Sequence, residues 1–124
     1  MDESFFDKSP AKTTSFYAAI AVLSFFSLLS IGVDITEYNQ HKEINIPIDF
    51  SYIILGIDFL IILSIVAIYF YKKIGVFAFP LLVFVHFYLH QYYLSTLLYA
   101  DIFNLFAFVG LGLLAIIPKW NFFK

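Results

Sequence analysis

Four long apolar stretches in a chain of 124 residues constrain its fold more than any other feature. They occupy approximately residues 14–33, 51–71, 74–93 and 101–117. A helix rises about 1.5 Å per residue, so roughly 20 apolar residues are needed to cross a hydrocarbon core about 30 Å thick. The pattern therefore predicts a polytopic membrane protein with four transmembrane helices.

The expected fold class is all-α, with the four spans packed in one antiparallel bundle. Strands with open edges are excluded at membrane depth, because lipid cannot form hydrogen bonds with their backbone groups. Hydrophobic residues make up 62% of the chain and charged residues only 13%, so few polar residues are left to cover a soluble domain. Residues 1–124 are therefore expected to form a single four-helix transmembrane domain.

The lysines predict the orientation of the bundle. All seven basic residues are lysines, and only Lys42 falls in the connection between spans one and two. The other six share the opposite side: Lys8, Lys12, Lys72, Lys73, Lys119 and Lys124. Because positive residues in short loops favour the cytoplasmic side, both termini are expected in the cytoplasm and the protein in the cell (inner or plasma) membrane. The lysines do not cluster as a basic face, so nucleic acid is not an expected partner.

The composition and the motifs exclude several chemical mechanisms. The chain has no cysteine, which removes disulfides, thiolate metal sites and thiol-based catalysis. It also lacks the Gly-x-Ser-x-Gly, His-Glu-x-x-His and glycine-rich phosphate-binding motifs that mark common classes of enzyme. We therefore do not expect an enzyme.

The connection expected on the outer side, residues 34–50, is the largest segment outside the predicted spans. It is acidic, and its last part alternates apolar and polar side chains with a period of two, which favours an extended segment. A segment of this kind is a natural contact surface for a partner protein. The candidate partner-surface residues are Asp34, Glu37, Glu43, Ile46 and Ile48.

Polar and ionisable residues inside the predicted spans form a second candidate site. Such residues cost on the order of a few kcal/mol in a bilayer, so each requires an explanation. His86 and His90 are four residues apart and lie on one helical face. Asp58 lies about two turns into span two from the outer side, while Asp101 and Asn104 share a face at the outer end of span four. If the three faces turn inward, an acid–histidine cluster forms in the outer half of the bundle.

Several groups fit a cluster of this composition. His86, His90 and Asp58 suit a divalent metal ion, since imidazole and carboxylate bind zinc, iron or manganese. A histidine is also a candidate ligand for haem or for a quinone head group, and a set of titratable groups is typical of a proton or cation relay. In a purely structural interpretation, Asp58 bonds to His86 and fixes the helix register, while His90 and Asp101 extend to the interface. On this basis no cofactor is predicted.

The sequence is compatible with three functions. The first is an interaction protein, either an accessory subunit of a membrane complex or an immunity or inhibitor protein that caps its partner. The second is a metal-, haem- or quinone-binding module, and the third is a homo-oligomeric channel or transporter. The first is preferred because it requires no catalytic residues. Its expected partners are the lipid bilayer and either another membrane protein or further copies of this chain.

Overall fold

The computed structural model describes Phe6 and residues 8–124, and over these residues it is all-helical with no strand. The four long helices are α1 (Thr14–Asn39), α2 (Ile48–Tyr69), α3 (Lys73–Leu94) and α4 (Tyr99–Phe122). Each is long and apolar enough to cross a membrane, with a mean hydropathy between 1.6 and 2.5 in its most apolar window. The prediction of four apolar helices is confirmed.

Large apolar side chains cover the outside of the four helices. Phe25, Phe59 and Leu114, for example, are 58%, 64% and 71% exposed. In water such a continuous apolar surface would drive association, whereas the core of a bilayer solvates it. The distribution of side chains, like the helix lengths, therefore suggests a membrane protein.

The first helix is longer than its apolar stretch. Thr13 precedes it, and its side-chain oxygen accepts a hydrogen bond from the Phe16 N–H at 3.2 Å. The helix continues past the predicted end at residue 33 to Asn39. The following connection is only residues 40–47, because α2 already begins at Ile48. Residues 34–39 and 48–50, which were expected in the outer connection, are therefore helical, and the expectation of an extended final part was wrong.

The four helices are arranged in a square, with α1 and α3 at opposite corners. Helix α1 packs against α2 and α4, and α3 packs against the same two neighbours. Side chains of α1 and α3 that touch each other therefore meet in the middle of the four helices. Such contacts mark the centre of the protein interior.

One half of the helical arrangement has an apolar core, and we call it the apolar half. It is formed by the first halves of α1 and α3 and the second halves of α2 and α4. Phe79 and Phe108 pack there with their ring centroids 5.3 Å apart. Other buried members of this core are Phe16, Leu23, Ile61, Ile65 and Ile68. Side chains fill this interior as they do in other protein cores.

A glycine allows α2 and α3 to approach closely in the apolar half. A Cβ atom at Gly75 would lie 2.5 Å from the carbonyl oxygen of Ser64 and 2.8 Å from Cβ of Ala67. No larger residue fits there without moving the backbone of α2. Gly75 thus sets the spacing of these two helices.

Hydrogen bonds tie the chain segments together at the end of the apolar half. The Tyr71 hydroxyl, in the turn between α2 and α3, donates to the Pro10 carbonyl oxygen at 2.7 Å. The backbone N–H of Lys124 donates to the Tyr71 carbonyl oxygen at 2.8 Å, and that of Lys73 donates to the Lys124 carbonyl oxygen at 3.1 Å. The segments before α1, between α2 and α3 and after α4 therefore lie at the same end.

The fourth helix is not a uniform α-helix. Residues Phe108–Gly112 form a π turn, and Ile117–Phe122 form a 3-10 turn. A π turn contains more residues than an α-helical turn, so side chains four positions apart remain on one face. Asn104, Phe108 and Gly112 are accordingly all buried. The π turn lies between the apolar core and the polar residues of α4.

Candidate metal centre

The opposite half of the protein, which carries the connections at residues 40–47 and 95–98, has a polar interior; we call it the polar half. Its buried ionisable side chains come from all four helices and form one acid–histidine cluster. The members of this cluster are Asp34 and Glu37 of α1, Asp58 of α2, His86 and His90 of α3, and Asp101 of α4.

His86 is the centre of the cluster and contacts three carboxylates. Its Nδ1–H donates to Asp101 Oδ2 at 2.5 Å. On the other side of the ring, Nε2 lies 2.5 Å from Asp34 Oδ2 and 3.0 Å from Asp58 Oδ1. A bare lone pair on Nε2 would face two carboxylates, so this arrangement needs a proton or a metal ion between these atoms.

His90, one turn further along α3, also has two carboxylates at its Nε2 atom. Its Nε2 lies 2.8 Å from Asp34 Oδ1 and 3.2 Å from Glu37 Oε2. Because His86 and His90 are four residues apart, their rings stack with centroids separated by 5.4 Å. Asp34 therefore places one carboxylate oxygen at each imidazole and links α1 to the opposite helix α3.

A layer of neutral polar side chains separates the cluster from the apolar half. Asn104 Nδ2 donates to Ser27 Oγ at 3.0 Å, and the Ser30 hydroxyl donates to Asp101 Oδ1 at 3.3 Å. Hydroxyl and amide groups commonly join helices in this way in lipid. Leu23, one turn before Ser27 in α1, already belongs to the apolar core.

Apolar side chains pack beside His90 at the end of the polar half. Ile46, from the connection between α1 and α2, is buried together with Phe50 and Ile54. The Phe50 ring meets His90 edge-on, with centroids 6.4 Å apart. Asn45 adopts a left-handed backbone conformation, with φ at 59°, immediately before Ile46. The connection thus packs back onto the helices through Ile46 instead of extending away from them.

The cluster contains more acidic than basic groups. Four carboxylates face two imidazoles, so negative charge is in excess even when both rings are protonated. Such an excess is unfavourable in apolar surroundings. Three buried atoms in and beside the cluster also have neither a hydrogen-bond partner nor an ion-pair contact: Asp58 Oδ2, His90 Nδ1 and Asn104 Oδ1. Both observations fit a site that binds a cation.

Three side chains of the cluster are arranged as metal ligands. Asp34, His86 and His90 are all buried, each offers one ligand atom, and these atoms lie within 4.8 Å of one another. Asp58 Oδ1 and Glu37 Oε2 flank the three as additional oxygen donors. Asp34, His86 and His90 therefore form a candidate set of three ligand atoms for one ion.

The structure brings together most of the predicted ligand-site residues. Asp58 and Asp101 both contact His86, and His90 is joined to them through a carboxylate of α1. Asn104 is buried next to this group but bonds to a serine of α1. The three predicted faces do turn inward and meet.

The predicted partner surface lies only partly on the surface. Glu43 and Ile48 are exposed, whereas Glu37 is half-buried beside the histidines. Asp34 and Ile46 are buried, so their placement in an exposed outer segment was wrong. The physical reason is that α1 continues through Asp34 and turns this carboxylate inward, while Ile46 in the short connection packs against Phe50 and Ile54 of α2.

The sequence contains a signal for Asp34 and Glu37, the two cluster residues that were predicted to lie in the outer connection. Ser27, Ser30, Asp34 and Glu37 follow one another at intervals of three and four, which is the spacing of one helical face. Hydropathy alone ends the span before Asp34. A polar face that continues past the end of an apolar stretch indicates that the helix itself continues and meets buried partners.

Comparison of the chain with protein-family models, with curated proteins and with solved structures found no match.

Proposed function

We propose that this chain is a multi-pass protein of the cell membrane that binds one divalent transition-metal ion in its polar half. Asp34, His86 and His90 are the ligands. The observation that carries the proposal is the Asp34 carboxylate, which directs one oxygen to Nε2 of each histidine at the centre of a membrane-type helical fold. The proposal assigns ion binding, and no catalytic step, to the cluster.

The ligand types favour zinc, iron or manganese. Two imidazoles and one carboxylate form the typical ligand set of zinc and non-haem iron sites, and they leave further coordination positions open. Asp58 offers an oxygen atom for one of those positions. The set contains no soft sulfur ligand, which would select copper(I).

Asp101 supports the site from the second coordination shell. A histidine that binds a metal usually donates its other ring N–H to a carboxylate, which fixes the ring and makes the ligand nitrogen more basic. The bond from His86 Nδ1 to Asp101 has this geometry and leaves Nε2 for the ion. Asp101 is itself held by Ser30.

The spacing of the ligand atoms requires only a small adjustment for an ion. In a tetrahedral site with metal–ligand bonds of about 2.1 Å, neighbouring ligand atoms lie roughly 3.4 Å apart. The Asp34 oxygens lie 2.5 Å from His86 Nε2 and 2.8 Å from His90 Nε2. Asp34 would therefore withdraw by less than about 1 Å, which side-chain rotation supplies.

The proposed orientation is an antiparallel bundle with both termini in the cytoplasm. The hydrogen bonds that join Pro10, Tyr71 and Lys124 at one end support the antiparallel packing. Six of the seven lysines belong to the segments at this end, and Lys42 alone belongs to the other. In this orientation the polar half lies towards the outer face of the plasma or inner membrane.

The other hypotheses from the sequence fit the cluster less directly. Haem or a quinone would find a free ring nitrogen only at His90 Nδ1, because the other three ring nitrogens of His86 and His90 face carboxylates at hydrogen-bonding distance. The interaction-protein and channel hypotheses stay predictions. A metal site is compatible with an accessory subunit, whose partner would be another membrane protein or a further copy of this chain.

The metal content of the purified protein tests the proposal. Protein in detergent is stripped with a chelator, incubated with Zn²⁺, desalted and measured by mass spectrometry of the metal. We expect about one zinc per wild-type chain and none in the His86→Ala and His90→Ala variants, since each removes one of three ligands. His41→Ala is the matched control, because the His41 Nδ1–H donates to the Tyr38 carbonyl oxygen, outside the cluster.

Two results would contradict the proposal. One is a folded wild-type protein, helical by circular dichroism, that retains no zinc. The other is a folded His90→Ala variant that retains as much zinc as His41→Ala. His90→Ala is informative even if His86→Ala does not fold, because His90 has fewer carboxylate contacts than His86.

A further inference from the structure

We infer that ions reach the proposed metal site from one end only, the end of the polar half, and that Glu37 is the side chain that captures them. The inference rests on the metal site proposed above and adds the route to it. It identifies a residue that controls how fast an ion binds, as distinct from the residues that hold the ion.

Burial decreases along the cluster towards Glu37. The side chains of His86 and Asp34 have no exposed surface, and that of His90 is 1% exposed. The Glu37 side chain is 18% exposed, the largest value among the side chains that contact the two histidines. A hydrated ion therefore meets Glu37 before any of the three ligands.

Glu37 has the geometry of a capture group. Its Oε2 is buried and lies 3.2 Å from His90 Nε2, so a carboxylate oxygen stands at the outer end of the set of ligand atoms. Beyond it, ligand atoms follow one another inward in the order Glu37, His90, Asp34, His86, each within 3.2 Å of the next. An ion can thus exchange one donor for the next without losing all of its ligands at once.

The interior of the apolar half gives an ion no route to the site from the opposite end. Below the pair formed by Asn104 and Ser27, the described interior is lined by core residues such as Leu23, Phe79 and Phe108. A buried hydroxyl in this half, that of Ser64, donates to the carbonyl oxygen of Ile61 in its own helix. Moving an ion through such a region without ligands is strongly unfavourable. The site therefore opens to one side of the membrane.

The association rate of a metal probe tests the role of Glu37. Co²⁺ is suited because its visible absorption reports an ion in the site, and stopped-flow mixing gives association and dissociation rate constants in detergent. Glu37→Gln keeps the shape of the side chain and removes its charge. Charges at the rim of a binding site act mainly on association. We expect the association rate constant to fall by about tenfold and the dissociation rate constant to change by less than about twofold.

Glu43→Gln is the matched control for this experiment. Glu43 is an exposed glutamate of the neighbouring connection and contacts no histidine of the cluster in the described structure, so we expect wild-type rates. Equal rates for Glu37→Gln and Glu43→Gln would overturn the inference while leaving the metal site intact. A Glu37→Gln variant in which dissociation alone accelerates would make Glu37 a ligand and also overturn it. A wild-type protein without Co²⁺ absorption would overturn the metal site itself.

Membrane vesicles of known orientation test the one-sided route. Protein loaded with Zn²⁺ is reconstituted, and the vesicles are exposed to a chelator that does not cross the bilayer. Orientation is read from labelling of Lys42 by an impermeant amine reagent. We expect zinc loss only where Lys42 is accessible, because the connection that contains it adjoins the polar half. Equal loss from both orientations would overturn the inference.

Discussion

The two halves of this protein hold the same four helices together by different means. In the apolar half, side chains such as Phe79 and Phe108 fill the interior, and backbone hydrogen bonds join the helix ends at Tyr71 and Lys124. In the polar half, the interior is organised by His86, which contacts carboxylates from three other helices. Packing dominates one half and charged hydrogen bonds dominate the other.

This difference separates the parts of the protein that provide stability from the part that provides a site. Apolar packing stabilises the fold whether or not an ion is bound. Buried ion pairs contribute little net stability, because the loss of hydration offsets the attraction between the charges. Ionisable residues inside membrane spans are therefore usually functional. We regard the apolar half as the scaffold and the polar half as the functional region.

The largest expected effect tests the scaffold. Gly75→Ala would place Cβ against the backbone of α2 at Ser64, so we expect the free energy of unfolding in mixed detergent micelles to fall by about 3 kcal/mol. Zinc bound per folded chain should not change. Gly56→Ala is the control, since a Cβ there meets no atom within 4 Å. Two results would contradict the interpretation that the apolar half provides stability and the polar half the site. One is equal destabilisation by the two variants, and the other is loss of zinc from folded Gly75→Ala protein.

An intermediate effect is expected from the second coordination shell of the polar half. Asp101→Asn keeps the side-chain shape but removes the charge that orients His86, so we expect zinc affinity to fall by about 10- to 100-fold. Competition with a chelator of known affinity measures this change. Asp49→Asn makes the same chemical change at an exposed position and should bind zinc as wild type does. An unchanged zinc affinity in Asp101→Asn would show that Asp101 does not belong to the site.

The smallest expected effect has the opposite sign and tests the excess negative charge. Asp58→Asn removes one buried carboxylate whose Oδ2 has no hydrogen-bond partner. We expect the metal-free protein to gain about 1 kcal/mol in its free energy of unfolding. Asp49→Asn again serves as the control. If the free energy of unfolding of Asp58→Asn instead fell by a similar amount, the cluster would carry no excess charge and would itself stabilise the fold.

Hydropathy predicts the existence of the four helices because apolar length is a direct requirement of a bilayer. It predicts their ends less well, as α1 and its connection show. The end of α1 depends on Asp34, a charged residue that is helical because α3 supplies its partners. Contacts between distant parts of the chain decide such boundaries, and a local hydropathy average does not contain them.

The candidate site is predictable to the extent that its residues stand out within apolar spans. His86, His90, Asp58 and Asp101 meet this condition, and helical spacing places the two histidines on one face. Asp34 does not, because it follows an apolar stretch and resembles the start of a surface segment. Helix rotation decides whether these faces meet, and rotation is set by packing between helices, which the spacing of residues along one chain does not specify.

The bonds from Asp34 to the two histidines have a mechanical consequence. Four helices that touch only their neighbours resemble a four-sided frame, which shears easily until one diagonal is braced. Asp34 on α1 and the histidines on α3 form that diagonal brace, and it lies only in the polar half. An ion at this point would tighten the brace, and at a concentration about 100 times its dissociation constant it would add about 2.7 kcal/mol. The rigidity of the polar half would then follow the amount of free metal on the side from which the site fills.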